Sequence, residues 1–546
     1  MIKYWLKQKI SEHYPVSDFD VLTPPDDKMG DYSTNLAFTL ARANHRNAEE
    51  VGTELVGKFR QDKGLGDIFD RIEYAQPGFI NFYLKEDFLR KQLGEISKDK
   101  NYGFNESMKG KTVAVEYTDP NPFKLFHIGH LMSNAIGEAI ARLYEASGAK
   151  VIRMNWQGDA GLHIAMAVWG MQQGHDYLGP AYAFGAKAYN ENPESKKEID
   201  EINKKIYDQS DPKINELYRK GRQGSLDYFE KIYAQLGTKF DHYFFESEMG
   251  PNGLKIVKEN SQVFEQSEGA VIFKGEKYGL HTRVFINSQG LPTYESKELG
   301  LNAEKFKLYR PDLSIIVTGN EINEYFKVLL KVMELIMPDV ASKTTHIGHG
   351  MMRLPTGKMS SRTGEIISAE SLVEQVESKL PESTPAEGVS KIAIGAIKYS
   401  ILRQNPGQDI VFDFEKSLSI KGDSGPYLQY TYARLTSILT KSGLTNYQLS
   451  IINYQLLDHE TELKLMKRLL IFPDVVIESG EETAPHHLAL YLYELSNDAN
   501  RFYESIRILD DENIERRNAR LMLVGTVATV LEKGLNILGI EAPEKI

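Results

Sequence analysis

The chain has 546 residues, 41% hydrophobic and 26% charged, the balance of an ordinary globular protein with room for about three or four domains. Its net charge of −11 argues against nonspecific nucleic-acid binding, so any nucleic-acid contact needs basic residues gathered on one face. Absent cysteine excludes disulfides, thiolate metal sites and a cysteine nucleophile, while the lack of a membrane-length apolar run or a signal-peptide core near Met1 leads us to expect a cytoplasmic protein with no membrane partner.

Residues 1–105 read as a small mixed α/β unit. Gly30-Asp-Tyr-Ser-Thr-Asn35 leads into a helix through Ala43, and Gly78-Phe-Ile-Asn-Phe-Tyr-Leu84 alternates like a strand. The next stretch organises the chain. A β-rich run, Val113 to Tyr117, breaks at Pro120 and Pro122 and arrives at His127-Ile-Gly-His130. Ile128, Leu131, Ala135, Ile136, Ala139, Ile140 and Leu143 then recur at helical spacing. Gly148 is placed to cap that helix, and Lys150 to Met154 reads as a second strand. This is a strand–loop–helix–strand unit of the nucleotide-binding kind.

The histidine pair suits that context. A helix N-terminus presents unpaired N–H groups and a positive dipole end to phosphates. Gly129 lets a flat base lie on the backbone, and His127 and His130 can donate to charge growing on an α-phosphate. Two chance histidines at a helix start remain the alternative.

Gly158-Asp-Ala-Gly161 follows as a turn near a ligand, with Asp159 equally readable as a turn former. From about 165 to 285 an insertion is expected. Ile199, Ile202 and Ile206, then Leu226, Phe229, Ile232, Tyr233 and Leu236, mark amphipathic helices. Val271 to Lys274 and Thr282 to Ile286 read as a hairpin. Tyr294 and Glu298 share a helix face after Gly290-Leu-Pro-Thr. Ser314 to Val317 is a buried-type strand leading into Thr318-Gly-Asn-Glu321 and a helix ending near Pro338.

A second His346-Ile-Gly-His349 follows. Gly350, Pro355 and Gly357 after it cannot open a helix, so this copy reads as a strand end without a catalytic role. Residues 353–364, with Gly357-Lys-Met-Ser-Ser-Arg362, form a cationic loop of mobile composition. From about 408 the chain reads as helical to its end.

The first histidine turn, with Lys358-Met359-Ser360-Ser361 over two hundred residues later, resembles the class I aminoacyl-tRNA synthetases. Gly422-Asp-Ser-Gly-Pro-Tyr-Leu-Gln-Tyr430 and the terminal Leu538-Gly-Ile-Glu-Ala-Pro543 resemble the arginyl-tRNA synthetases in particular. The resemblance covers nearly the whole chain. It implies an α/β Rossmann-type parallel-sheet catalytic domain (106–407) carrying the insertion, a small N-terminal α/β domain (1–105) and a C-terminal all-α bundle (408–546). The bundle would bind the anticodon and the N-terminal domain the tRNA elbow.

The same resemblance implies a reaction and its residues. ATP, with Mg²⁺ held through its phosphates and water, reacts with arginine, and the adenylate passes to tRNA(Arg). Family members commonly need bound tRNA before they activate the amino acid. His127, Gly129, His130, Lys358, Met359 and Ser360 would hold ATP; His127, His130, Lys124 and Lys358 would act in catalysis. Glu116, Asp119, Asn121, Tyr294 and Glu298 would hold arginine. Phe79 and Asn81, and Tyr430 and Arg434, would touch tRNA, although Phe79 can equally be read as core. No protein-bound metal and a monomeric chain are expected. Three positions depart from the family pattern: Glu298 replaces an Asp, Asp119 a Ser, and Ser361 the second loop lysine. Lys124 is expected to supply the lost charge; a solvent-facing loop lysine is the other reading. A nucleotidyltransferase making a small-molecule adenylate and a non-catalytic RNA-binding paralogue are the competing functions.

Overall fold

Val113, Ala114 and Val115 are all buried, as in a parallel strand covered on both faces. That strand, Thr112–Glu116, pairs in parallel with Lys150–Gln157 on one side and Leu313–Gly319 on the other. Thr344–His349 extends the sheet beyond Leu313–Gly319, and His242–Phe245 extends it beyond Lys150–Gln157, giving five parallel strands. The chain is a computed structural model describing residues 1–16, 18–24, 26–354, 367–443 and 452–546.

The crossover helix Ile128–Ala146 is buried almost all round. The sheet lies on one side of it, and helices Ala386–Leu402 and Phe472–Glu481 lie on the other. Its last turn closes at Ser147, and Gly148 takes φ +85°, the left-handed position that a helix end uses to turn the chain. The predicted strand, helix and strand are therefore all present, with the second strand running three residues further, to Gln157.

The stretch 165–285 departs from a single insertion. Helices Pro180–Glu191, Pro193–Asp208 and Pro212–Gln235 each open on a proline, which needs no N–H there. Ile199, Ile202 and Ile206 turn inward onto Ile164 and Val168 of helix Leu162–Gln172. The chain then returns to the core sheet as His242–Phe245 before leaving again. The predicted hairpin is present as Ala270–Phe273 and Arg283–Ile286, with Glu265–Ser267 as a third antiparallel strand. Phe273 and Phe285 pack with Phe326, Leu329 and Val332 of helix Asn323–Ile336.

At the N-terminus, Val21–Leu22, Tyr32–Thr34, Phe79–Leu84 and Phe69–Ala75 form an antiparallel sheet, and helix Leu36–Ala43 follows directly on Asn35. At the other end, helix Gly425–Ser442 and four more, from Glu460 to Ile537, build an α bundle. The helical run does not begin at 408, because Ile410–Val411 first pairs with Met352–Arg353. Helix Ala386–Leu402 meets the bundle closely: a Cβ on Gly425 would strike the Gly395 carbonyl. The N-terminal unit leans on the bundle through Lys467 and Asp31, 2.7 Å apart, and through Arg90, which donates to the Leu457 carbonyl at 3.0 Å.

Candidate active site

The loop between Glu116 and Ile128 is held in strained backbone. Thr118, Asp119 and Phe123 take φ of +81°, +46° and +68°, a region that costs a side-chain-bearing residue on the order of 1–3 kcal/mol. The surroundings hold it there. Thr118 N–H donates to Ser133 Oγ, which donates in turn to the Val317 carbonyl, so loop, helix and neighbouring strand are tied together. Asp119 accepts from the Trp156 N–H at 2.7 Å.

At the end of this loop His127 caps the helix. Gly129 N–H donates to His127 Nδ1 at 3.1 Å, and His127 N–H donates to His130 Nδ1 at 3.3 Å, a reciprocal capping box. Because both Nδ1 atoms accept, both rings carry their proton on Nε2. The rings stack at 3.6 Å. Burial, and then the charge of Lys124, pushes His127 down to about 4. Burial, with His127, Lys124 and His349 nearby, takes His130 well below its usual value. Both are neutral hydrogen-bond donors at physiological pH. A Cβ on residue 129 would lie 2.9 Å from the His127 ring, so the glycine is needed for the cap itself.

A cavity of about 590 Å³ opens at the carboxyl ends of Thr112–Glu116 and Leu313–Gly319, the usual ligand position of an open α/β sheet. His127, Gly129 and His130 line it, and so do all five residues expected to hold arginine: Glu116, Asp119, Asn121, Tyr294 and Glu298. Their charges are unequal. Glu116 accepts from Lys305 Nζ at 2.9 Å. Glu298 is 7% exposed, and its Oε2 has no partner among the described residues. Burial, and then Glu116, raises the Glu298 carboxyl well above the usual range; burial and Glu116 do the same to Asp119. The Tyr325 hydroxyl, also on the cavity wall, is a second buried group without a partner among the described residues.

Several polar residues around this cavity escaped sequence reasoning. Glu246 lines it and pairs with buried Lys297 at 2.6 Å, while Lys297 also donates to the Ala160 carbonyl at 3.1 Å. Burial pushes Glu246 up to about 7 against that pairing. Asp159, read from the sequence as part of a turn near a ligand or as a turn former, is fully buried and staked from two helices. It accepts from Tyr218 at 3.0 Å and Arg222 at 2.8 Å on Pro212–Gln235, and from Ser247 at 2.9 and 2.8 Å on helix Glu246–Glu259. No local motif marks Lys305, Lys297 or Arg222; each is remote in sequence from its partner.

Lys124 is not among the cavity-lining residues. Its ammonium sits 4.7 Å from the centre of the Tyr182 ring, half-buried, beside the histidine turn. Gly357, Lys358, Met359, Ser360 and Ser361 lie outside the described residues. Beyond them Ile128 N–H donates to the Ile367 carbonyl at 3.3 Å, Ser368 is bridged to His127, and Ala369 N–H donates to the Phe126 carbonyl at 2.9 Å. The second His-Ile-Gly-His does end a strand, as read from sequence, yet His349 lines the same cavity.

The residues expected at tRNA lie in the other domains. Phe79 is half-buried, and buried Asn81 accepts from Ser33 at 2.7 Å. Arg434 donates to Tyr430 at 3.0 Å and to Asn500 at 2.7 Å.

Sheet order, crossover helix and histidine turn define the class: an open α/β nucleotide-binding fold flanked by two accessory domains. Three family models tile it: Arginyl tRNA synthetase N terminal domain at residues 1–84, tRNA synthetases class I (R), catalytic domain at 92–414, and DALR anticodon binding domain at 428–546. The arginine--tRNA ligase of Halothermothrix orenii is 32% identical over 96% of this chain and 95% of its own length. That of Clostridioides difficile is 30% identical over 99% and 98%. The solved arginyl-tRNA synthetase of Thermus thermophilus shares the fold at TM-score 0.81 and 23% identity, covering 100% of both chains. The arginyl-tRNA synthetase of Plasmodium falciparum does so at 0.81 and 22%, covering 100% of this chain and 98% of that one. The chain belongs to the arginyl-tRNA synthetase family.

Proposed function

We propose that the protein attaches L-arginine to tRNA(Arg) in two steps. The arginine carboxylate attacks the α-phosphate of ATP and releases pyrophosphate. The terminal ribose hydroxyl of the tRNA then attacks the adenylate. The observation that carries this reading is one cavity holding two neutral histidine donors at a helix N-terminus and a buried Glu298 whose Oε2 has no partner among the described residues. The donors suit phosphate charge that grows in the transition state. The carboxylate suits a planar guanidinium, whose forked donors match its two oxygens.

In this reading Glu298, Glu116 and Tyr294 receive the side chain, and Asp119 and Asn121 the amino-acid end. Lys358, Met359 and Ser360 close over the triphosphate, and Lys124 and Lys358 supply positive charge. Mg²⁺ accompanies ATP in this reading, held largely through its phosphates and water. Phe79 and Asn81 meet the tRNA elbow, and Tyr430 and Arg434 the anticodon end. The protein works as a monomer in the cytoplasm; no helix among the described residues is long and apolar enough to cross a membrane.

Charging assays with each amino acid test this function. Arginine alone should be charged, with ATP and tRNA both required, and arginine-dependent pyrophosphate exchange should be much weaker without tRNA. Charging of another amino acid, adenylate formation on an unrelated acid, or tRNA binding without charging would each replace the proposal.

A further inference from the structure

The two copies of His-Ile-Gly-His differ in backbone, and the difference decides which ring nitrogen keeps the proton. In the first copy backbone N–H groups donate to Nδ1 of both rings, so each presents an Nε2–H. In the second copy the strand runs straight through, with His349 opposite Gly319. There His349 Nδ1 lies 2.7 Å from the Gly350 carbonyl oxygen. A carbonyl only accepts, so this Nδ1 donates, and Nε2 keeps its lone pair. Among the described residues that Nε2 has no partner. The side chain is 4% exposed, lines the cavity with His130, and is held neutral by burial. His346 is occupied differently: it bonds Thr318 at 2.7 Å and stacks on Phe326 at 3.8 Å.

A lone pair on the wall of a nucleotide site gains from a donor opposite it, since a ligand that displaces its water without replacing that bond loses binding energy. Ionised phosphates only accept, and an acceptor beside them repels. The donors on ATP are the exocyclic amine of adenine and the ribose hydroxyls. We propose that His349 binds the nucleoside part of ATP, its Nε2 accepting from one of those groups, while His127 and His130 donate to the phosphates. The first copy reads charge and the second reads the nucleoside. This rests on the proposed use of ATP.

The test is pyrophosphate exchange with arginine and tRNA present, at varied ATP, in wild type, His349→Phe and His349→Gln. Losing one buried hydrogen bond should raise the KM for ATP about tenfold in His349→Phe. Turnover and the KM for arginine should stay within about twofold, the pattern of lost ground-state binding. Glutamine, which can put an amide oxygen near the place of Nε2, should recover part of the loss. Purine riboside triphosphate, 2′-deoxy-ATP and 3′-deoxy-ATP then identify the group. For one of them wild type and His349→Phe should have equal KM; the other two should keep the difference. An unchanged KM for ATP in His349→Phe, or a difference kept by all three analogues, overturns the assignment. If the phenylalanine variant does not fold, the wild type decides: none of the three analogues binding more weakly than ATP overturns it equally. A wild type with no ATP-dependent exchange would fail the proposed function itself, a separate result.

Discussion

Lys305 and Glu116 form an ion pair sealed from water, Nζ to Oε2 at 2.9 Å, with side chains 0% and 2% exposed. It joins two cavity-bearing elements that are 189 residues apart in the chain. Removing one partner strands the other charge, at a cost of about 3–5 kcal/mol, whereas replacing both by apolar groups is close to neutral. Lys305→Met should therefore lower the urea midpoint strongly. Lys305→Met with Glu116→Leu should regain most of the stability and still fail to use arginine. A single variant as stable as wild type would show that the pair does not hold the cavity floor.

Glu298→Gln should act on arginine and leave ATP affinity nearly intact. A guanidinium facing a neutral amide loses on the order of 2–5 kcal/mol if the pair is buried. Arginine KM and kcat both staying within about twofold of wild type would make the residue structural.

The raised Glu298 carboxyl adds a pH signature. Free enzyme holds it protonated at pH values where an ordinary glutamate is ionised. Arginine favours the ionised form, so binding should release a proton. Affinity should then rise with pH until the free-state pKa is passed. Calorimetry in two buffers of different ionisation heat measures the release. Identical heats in both would refute it.

Lys124→Ala should reduce the rate of adenylate formation far more than ATP binding, because its charge matters most as pyrophosphate leaves. Ser361→Lys in that background should recover part of the loss. Single-turnover activation unchanged in Lys124→Ala would sink the idea. A slow variant without rescue would keep the lysine in catalysis but show that the two positions are not interchangeable.

Burial holds His127 and His346 near 4 and His163 near 3. As pH falls below 6.5 the unfolded chain takes up protons that the folded chain refuses, so stability falls with pH down to the folded values. Glu246, raised to about 7, acts with the opposite sign: the stability it costs appears as pH rises above its ordinary 4.5. Comparing wild type with His163→Gln cancels that term. Urea midpoints from pH 7 to 4 should fall less steeply in the variant; parallel curves would show that His163 is not buried neutral.

Local patterns carried the fold far. The helix from Ile128 was legible because its apolar spacing and its glycine stop are written within about twenty residues. Strand His242–Phe245 was hidden for the opposite reason. It has four residues, and only its pairing with Met154 to Gln157 makes it part of the core sheet. The cavity divides the same way. The histidine turn and the Tyr294–Glu298 face are short-range patterns. Lys305, Lys297 and Arg222 meet their partners only after the sheet has formed, so nothing near them in sequence announces the pairing. His349 was read correctly as a strand end, yet which sheet edge that strand takes, and hence what it faces, is a tertiary fact.

The staking of Asp159 has a consequence for how such a chain can change. Gly158, next to it, is cavity wall, and a Cβ there would crowd Asn121. The Asp159 side chain is anchored mainly by Tyr218, Arg222 and Ser247, none of which lines the cavity. Helix Pro212–Gln235, which supplies no lining residue, is thus a strut behind that wall. Substitutions along Pro212–Gln235 can shift the clearance at Gly158 and tune substrate affinity while every lining residue stays the same. Two homologues with identical pockets can therefore differ in how tightly they hold the same amino acid, with the difference recorded in a helix that contributes no residue to the pocket.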